Sequence, residues 1–218
     1  FGLLERLMTE SRVLLDYLWH IVIPGLSPNT LFFDDYVVSR SLLSPVTTLF
    51  ASCLVAGLVA TAWYFRRRQP VYSFAVAWFF GLHLLESTYL PLELYFEHRN
   101  YLPMVGVLFA VFWYLLKYMR ESRKPALQRF VVSGLAALLL VNTGLVWKSS
   151  RVWGDTFGLH AQWAEDRPRS VRAQATFAEY LAAVDLPEVA MERLQLARSH
   201  YPNEVSVLLH MVGRSIDT

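Results

Sequence analysis

The sequence predicts an all-α protein: a polytopic membrane helix bundle of about four transmembrane helices plus an interfacial helix, followed by a soluble tail of helical repeats. Three observations carry this expectation. Hydrophobic residues fill 55% of 218 positions, and mean hydropathy is +0.32, high for a soluble domain. The apolar residues gather in long runs between Pro45 and Lys148, each near the length of a bilayer crossing. Beyond Ser149 the chain turns polar and rich in Ala, Glu and Arg. The expected organisation is therefore 1–44 external helix and loop, 45–148 membrane bundle, and 149–218 repeat tail.

In chain order, "SRVLLDYLWHIVIPGLSP" is apolar but interrupted by Arg12, Asp16 and His20, which predicts an amphipathic helix lying in the membrane interface. Pro24, Gly25 and Pro28 end it. A fifth crossing is the alternative, and it would put Phe1 on the cytoplasmic side. Four apolar runs follow: Pro45–Phe65, Pro70–Glu86, Tyr101–Met119 and Phe130–Trp147. Trp63, Tyr64, Tyr101, Tyr118 and Trp147 mark their ends, as expected at headgroup level. Phe stands first, and no basic segment precedes a short apolar core, so no cleavable signal peptide is expected in this sequence and a longer parent chain is.

Charge placement sets the expected orientation. The loop after the first run holds Arg66, Arg67 and Arg68, and the loop after the third holds Lys117, Arg120, Arg123, Lys124 and Arg129. Both loops lie on one side and both are basic, which makes that side cytoplasmic. The loop 86–100, the N-terminal segment and the tail then face outside, in a bacterium the periplasm, with the protein multi-pass in the inner membrane. The basic loops serve as membrane anchors and not as a nucleic-acid surface.

In the tail, Pro168 and Pro202 stand 34 residues apart, the period of a tetratricopeptide repeat. The stretch 171–203 reads as one complete helix-turn-helix unit. Ala178, Ala190 and Ala197 fall where two helices approach closely, and Phe177, Leu181 and Leu194 fill neighbouring slots. "FGLHAQWAEDRP" reads as the second helix of a preceding unit, and "EVSVLLHMVGRS" as the first helix of a following one. Repeats of this kind bury their apolar faces on neighbours or partners.

The chemistry concentrates in "HLLESTYLPLELYFEHRNYLP", which holds His83, Glu86, Glu93, Glu97, His98 and Arg99. Ionisable groups near bilayer depth are costly and face a protein interior or a wet cavity. Pro91 and Pro103 suggest a bent or re-entrant segment. Arg99 offers a planar, permanent cation suited to phosphate, with Glu97 or Glu93 to orient it. A lipid-linked phosphate needs this layout, with an apolar groove between helices below the cation. The plainer reading is that Glu97 and Arg99 pair with neighbours to hold the loop down, with His98 merely interfacial. No cofactor is evident; a divalent cation is a chemical option for Asp34 and Asp35 that nothing in the spacing supports, since adjacent residues of an extended run point to opposite faces. Their plainer reading is a polar turn beside the membrane. His20 and His83 read as helix-packing residues, without metal-ligand spacing. A single cysteine, Cys53, excludes an internal disulfide and a thiolate cluster, and the chain holds no Gly-rich phosphate loop and no nucleophile elbow.

Taken together, "DYLWHIVIPGLSP", "FFDDYVVSR" and "ESTYLPLELYFEHRNYLPMVG", ahead of external repeats, resemble the C-terminal half of a family of bacterial membrane proteins. That family is similar to the transmembrane-and-tetratricopeptide O-mannosyltransferases of animals. In those enzymes a shorter version of the segment reads roughly Glu-Arg, then Tyr, then Pro-Ser; here His98 splits Glu97 from Arg99, and Met104 stands in place of the serine. The resemblance implies a GT-C-type glycosyltransferase that moves a sugar from a polyprenyl-phosphate lipid to protein hydroxyls on the outer face. Arg99 would hold the donor phosphate, with Glu97, His98 and Glu93 around it, and the tail would hold the periplasmic acceptor protein. The family's catalytic acid lies in a first external loop that this chain begins beyond, so neither Asp34 nor Asp35 takes its place. A non-catalytic membrane-anchored scaffold or accessory subunit is the alternative.

Overall fold

The computed structural model describes residues 2–22, 31–88, 94–122 and 124–200. The described residues are helical, with no strand and only an isolated bridge between Ser41 and Ser44. The helices are α1 (Leu3–Val22), α2 (Thr47–Phe65), α3 (Pro70–Thr88), α4 (Tyr101–Ser122), α5 (Pro125–Trp153), α6 (Thr156–Asp166), α7 (Val171–Ala183) and α8 (Pro187–His200), with a single 3₁₀ turn at Glu97–Asn100 before α4. Two compact units result: 1–26 with 37–143, and 27–36 with 144–218.

In the first unit, α1 packs on α2 and α3, and α3 packs along α4. Among the described residues, three helices are long and apolar enough to cross a membrane: α2, α4 with its leading 3₁₀ turn, and α5. The apolar part of α3, Pro70–Leu84, is shorter. The basic residues expected in a loop after the third apolar run lie instead mostly on helix ends. Lys117 and Arg120 ride the last turns of α4, and α5 begins at Pro125, five residues before the expected start. Lys and Arg are good helix formers, and Pro is at home in a first turn, so neither stops the helices early.

The first helix also departs from expectation. It starts at Leu3, eight residues ahead of Ser11, and its polar side is covered: Arg6, Thr9, Glu10 and Ser11 are buried, while Leu3, Leu4, Leu7 and Trp19 are exposed. Arg6 and Glu10, one turn apart, approach to 3.8 Å within that buried face. Thr9 Oγ1 accepts the Ser39 N–H at 2.8 Å, and Arg12 donates to the Val37 carbonyl at 2.8 Å, so the segment after Tyr36 is laced to α1 through polar contacts. These groups thus pack inside the unit and not on its surface.

In the second unit, α7 and α8 form an antiparallel hairpin on which α6 packs. Ala178, Ala190 and Ala197 are buried as expected from their small size at close helix contacts, and so are Phe177, Leu181 and Leu194. Ser170 caps α7, its Oγ accepting the Ala173 N–H at 3.0 Å. The C-terminal end of α7 closes with Asp185 at φ 60°, Leu186 N–H donating to the Leu181 carbonyl at 2.9 Å. This left-handed closure turns the chain into α8. Helix α6 forms where a preceding repeat's second helix was expected, whereas Pro202 and "EVSVLLHMVGRS" lie outside the described residues.

Candidate functional site

The segment Tyr95–Asn100 hangs on the C-terminal half of α1. Phe96 is extended, and its N–H donates to the Tyr17 phenol oxygen at 2.7 Å. Asn100 Nδ2 donates to the Tyr17 carbonyl at 3.4 Å, and the Tyr95 hydroxyl meets His20 Nδ1 at 3.1 Å. Tyr17 in turn packs on Tyr95 (ring centroids 5.0 Å) and stacks on His83 of α3 at 5.5 Å. Buried Tyr95 and Asn100 are thus the two anchors, and the residues between them are displayed in a tight 3₁₀ turn, the Arg99 N–H donating to the Phe96 carbonyl at 3.1 Å.

Of the residues singled out for donor binding, Glu97 and His98 are exposed on that turn and Arg99 is half-buried. The His98 ring sits edge-on to Phe96, centroids 3.7 Å apart, and the Arg99 guanidinium lies over the same ring at 5.4 Å. The flat arginine plane therefore has an aromatic support on one side. Glu93 lies outside the described residues, as does Pro91. Pro103 does not bend the segment: it is buried in the first turn of α4, where a missing N–H costs no intrahelical bond.

Burial pushes the Tyr17 phenol well above its ordinary value of 10.0. The bond from the Phe96 N–H opposes the shift, as does the charge of Arg99, while Glu10 and Glu97 add to it. Tyr17 is therefore a neutral hydrogen-bonding hub, not a base.

Beginning about one turn into α4, α3 and α4 border an open apolar groove of about 460 Å³, lined by Phe74, Trp78, Val105, Gly106 and Phe109. Gly106 makes the groove's shape: a Cβ there would lie 2.5 Å from Trp78 Cδ1. With no side chain in the way, the indole settles against the α4 backbone and its Nε1–H donates to the Leu102 carbonyl at 3.0 Å.

The Asp34–Asp35 pair belongs to a different site. A turn, closed by the Tyr36 N–H donating to the Phe33 carbonyl at 3.1 Å, replaces the extended run, so both carboxylates engage one surface instead of opposite faces. Asp34 accepts from the Ser170 hydroxyl, and from the Arg172 backbone N–H at 3.3 Å. Asp35 pairs with Arg167 at 3.1 Å. Phe32 meets Trp163 edge-on at 5.4 Å and carries the Arg172 guanidinium at 5.3 Å; Phe33 carries that of Arg167 at 4.4 Å. Local spacing could not assign these partners, which lie more than 130 positions away. The only signal was the basic run around the α7 cap, "RPRSVR", opposite in charge to "DD". Among the described residues no group of three or more His, Cys, Asp or Glu comes together to hold a metal ion.

Comparison of the chain with protein-family models, curated proteins and solved structures finds no match.

Proposed function

We propose that the first unit is the donor-lipid side of a GT-C-like membrane glycosyltransferase. In this reading Arg99 holds the phosphate of a polyprenyl-phosphate sugar, and Glu97 and His98 flank it. The sugar passes to hydroxyls of a periplasmic protein held by the tail, which is of tetratricopeptide type. The observation that carries the reading is the apolar groove of α3 and α4, with Val105 only six residues beyond Arg99, about 9 Å of helix rise. A cation above a lipid-sized groove is the arrangement that an isoprenoid phosphate requires, and apolar clefts with a few polar groups at the rim are common ligand sites. The basic ends of α2 and α4 support an orientation with this turn on the outer face of the inner membrane.

The test is binding of polyprenyl phosphate to the protein in nanodiscs, with polyprenol as the uncharged control. Losing a charged hydrogen bond of about 1.5–3 kcal/mol predicts phosphate binding weakened roughly 10- to 150-fold in Arg99→Ala. Polyprenol binding should stay unchanged. Equal phosphate affinity in folded wild-type and Arg99→Ala protein removes the assigned role.

A second reading, a membrane-anchored scaffold or accessory subunit, draws on α5. None of its residues is buried, and Leu139, Leu140, Val141, Val146 and Trp147 are all exposed. Photo-crosslinkers at Leu139 and Leu140 separate the two: adducts to one protein favour the scaffold, adducts to lipid alone favour the enzyme.

A further inference from the structure

The contact between Phe32–Asp35 and α6–α7 has the chemistry of a peptide in a binding site. The segment reaches the helices through side chains. Two carboxylates meet Ser170, the Arg172 N–H and Arg167; two aromatic rings meet Trp163 and the guanidinium groups of Arg167 and Arg172. The receiving surface is built without it. Ser170 and Ala173 cap α7 between themselves. The main core of the unit, Ala164, Ala175, Phe177, Ala178, Leu181, Ala190 and Leu194, contains no residue of the segment. Phe32 packs with Val152 against a smaller cluster of Leu159, Trp163 and Ala173, and Phe33 is buried. A surface that keeps its own core and cap when the segment leaves can exchange one occupant for another.

We propose that this face of α6–α7 is a recognition site for an aromatic–acidic turn segment of a partner protein, and that Phe32–Asp35 is its built-in occupant. The site selects two neighbouring aromatic rings followed by two carboxylates. The rings stack under arginines, and the first carboxylate takes the Arg172 N–H and the Ser170 hydroxyl at the start of α7, where a helix favours negative charge. The second carboxylate takes Arg167. A tethered occupant competes at an effective concentration of about millimolar, so the site opens only to a partner that outbids it or when the segment is withdrawn. This proposal stands apart from the donor-lipid reading, because none of its residues belongs to the first unit.

The experiment uses the whole protein in nanodiscs and a labelled peptide of residues 31–36 in trans. The Asp34→Asn/Asp35→Asn protein, its own segment weakened, should bind the peptide about tenfold or more tighter than wild type, since the tethered competitor is lost. A peptide with both aspartates replaced by asparagine should not bind, and Arg167→Glu protein should bind neither peptide. In wild-type protein, excess peptide should speed hydrogen exchange of 31–36 while α7 stays protected, a readout that needs no variant to fold. No binding by a folded double variant, equal binding by Arg167→Glu, or unchanged exchange in 31–36 each overturns the proposal. So does a peptide-independent dimer that forms through this site, which would make a second copy the occupant.

Discussion

Helices α5 and α7 are both regular, and they bury in opposite ways. The 29 residues of α5 include none that is buried, though the helix has an apolar window of mean hydropathy 2.0. The 13 residues of α7 include seven that are buried, among them Gln174. A helix apolar all round is made for a surrounding as apolar as itself, while a helix with one apolar side is made for water on the other. The same contrast holds on a finer scale. In the first unit the polar residues Arg6, Thr9, Glu10 and Ser11 of α1 turn inward and Leu3, Leu4 and Leu7 outward; in the second the small and aromatic residues turn inward. Each unit is ordered by its solvent, and the position of a polar group reports which solvent that is.

The sharpest way to break the comparison is to shave one side chain from each unit. Phe177 is 4% exposed, and Phe177→Ala should cost the tail about 3–5 kcal/mol, read as loss of protection in α7 and α8 by hydrogen exchange. Leu139 is 69% exposed, and Leu139→Ala should cost about 1 kcal/mol or less, because lipid tails contact leucine as well as protein does. Comparable losses at both positions would mean that α5 packs on protein.

A polar position in the first unit should be more sensitive than its apolar exterior. Tyr17→Phe leaves the Phe96 N–H without its acceptor, at a cost of about 1–3 kcal/mol. The same phenol sets a pH limit. Burial raises its folded value above 10.0, so its contribution is complete below that pH. As pH rises past it, the unfolded chain releases the proton that the folded chain keeps, and stability falls. Alkaline unfolding should therefore set in less steeply in Tyr17→Phe than in wild type. Identical slopes would show that this phenol is not the controlling group.

Next comes Gly106→Ala, which forces the Trp78 indole off α4 and should cost about 1–2 kcal/mol with loss of the Leu102 hydrogen bond. The groove changes shape with it, so the polyprenyl-phosphate binding proposed for it should weaken. Gly134→Ala in α5 meets nothing within 4 Å and should be neutral or slightly stabilising. Tryptophan fluorescence and melting of the two variants give the contrast directly.

What the sequence reveals divides along similar lines. Apolar runs announce α2 to α5, since hydropathy is a local quantity, and the alternation of Ala178, Ala190 and Ala197 with Phe177, Leu181 and Leu194 announces the α7–α8 hairpin. Around Lys117–Pro125 the basic residues read as loop, yet α4 runs on to Ser122 and α5 begins at Pro125, because Lys and Arg favour helix. The partners of Asp34, Asp35 and Tyr17 were out of reach. A carboxylate or phenol specifies what it needs but not where in the chain the donor lies, and here the donors are Ser170, Arg167 and Phe96. Near Arg99, the identity of the residues was legible and their support was not: the anchoring of Tyr95 and Asn100 on α1 exists only in three dimensions.

The smallest effect tests whether the tail's turns follow the rules of soluble helices. Asp185 occupies a left-handed position with φ 60°, where its Cβ is mildly strained and glycine would have none. The Leu186 N–H to Leu181 bond at 2.9 Å and the Asp185 N–H to Ala182 bond at 3.4 Å close the end of α7 through backbone alone, so the side chain adds nothing to them. Asp185→Gly relieves the strain but frees the unfolded chain, and the two effects oppose each other. The strain term is the larger, so the tail should gain a few tenths to about 1 kcal/mol, seen as slower exchange in α7 and α8. A loss of stability instead would mean that the Asp185 carboxylate holds a partner across the turn, and that the α7–α8 hairpin is fixed by a side chain and not by its backbone closure.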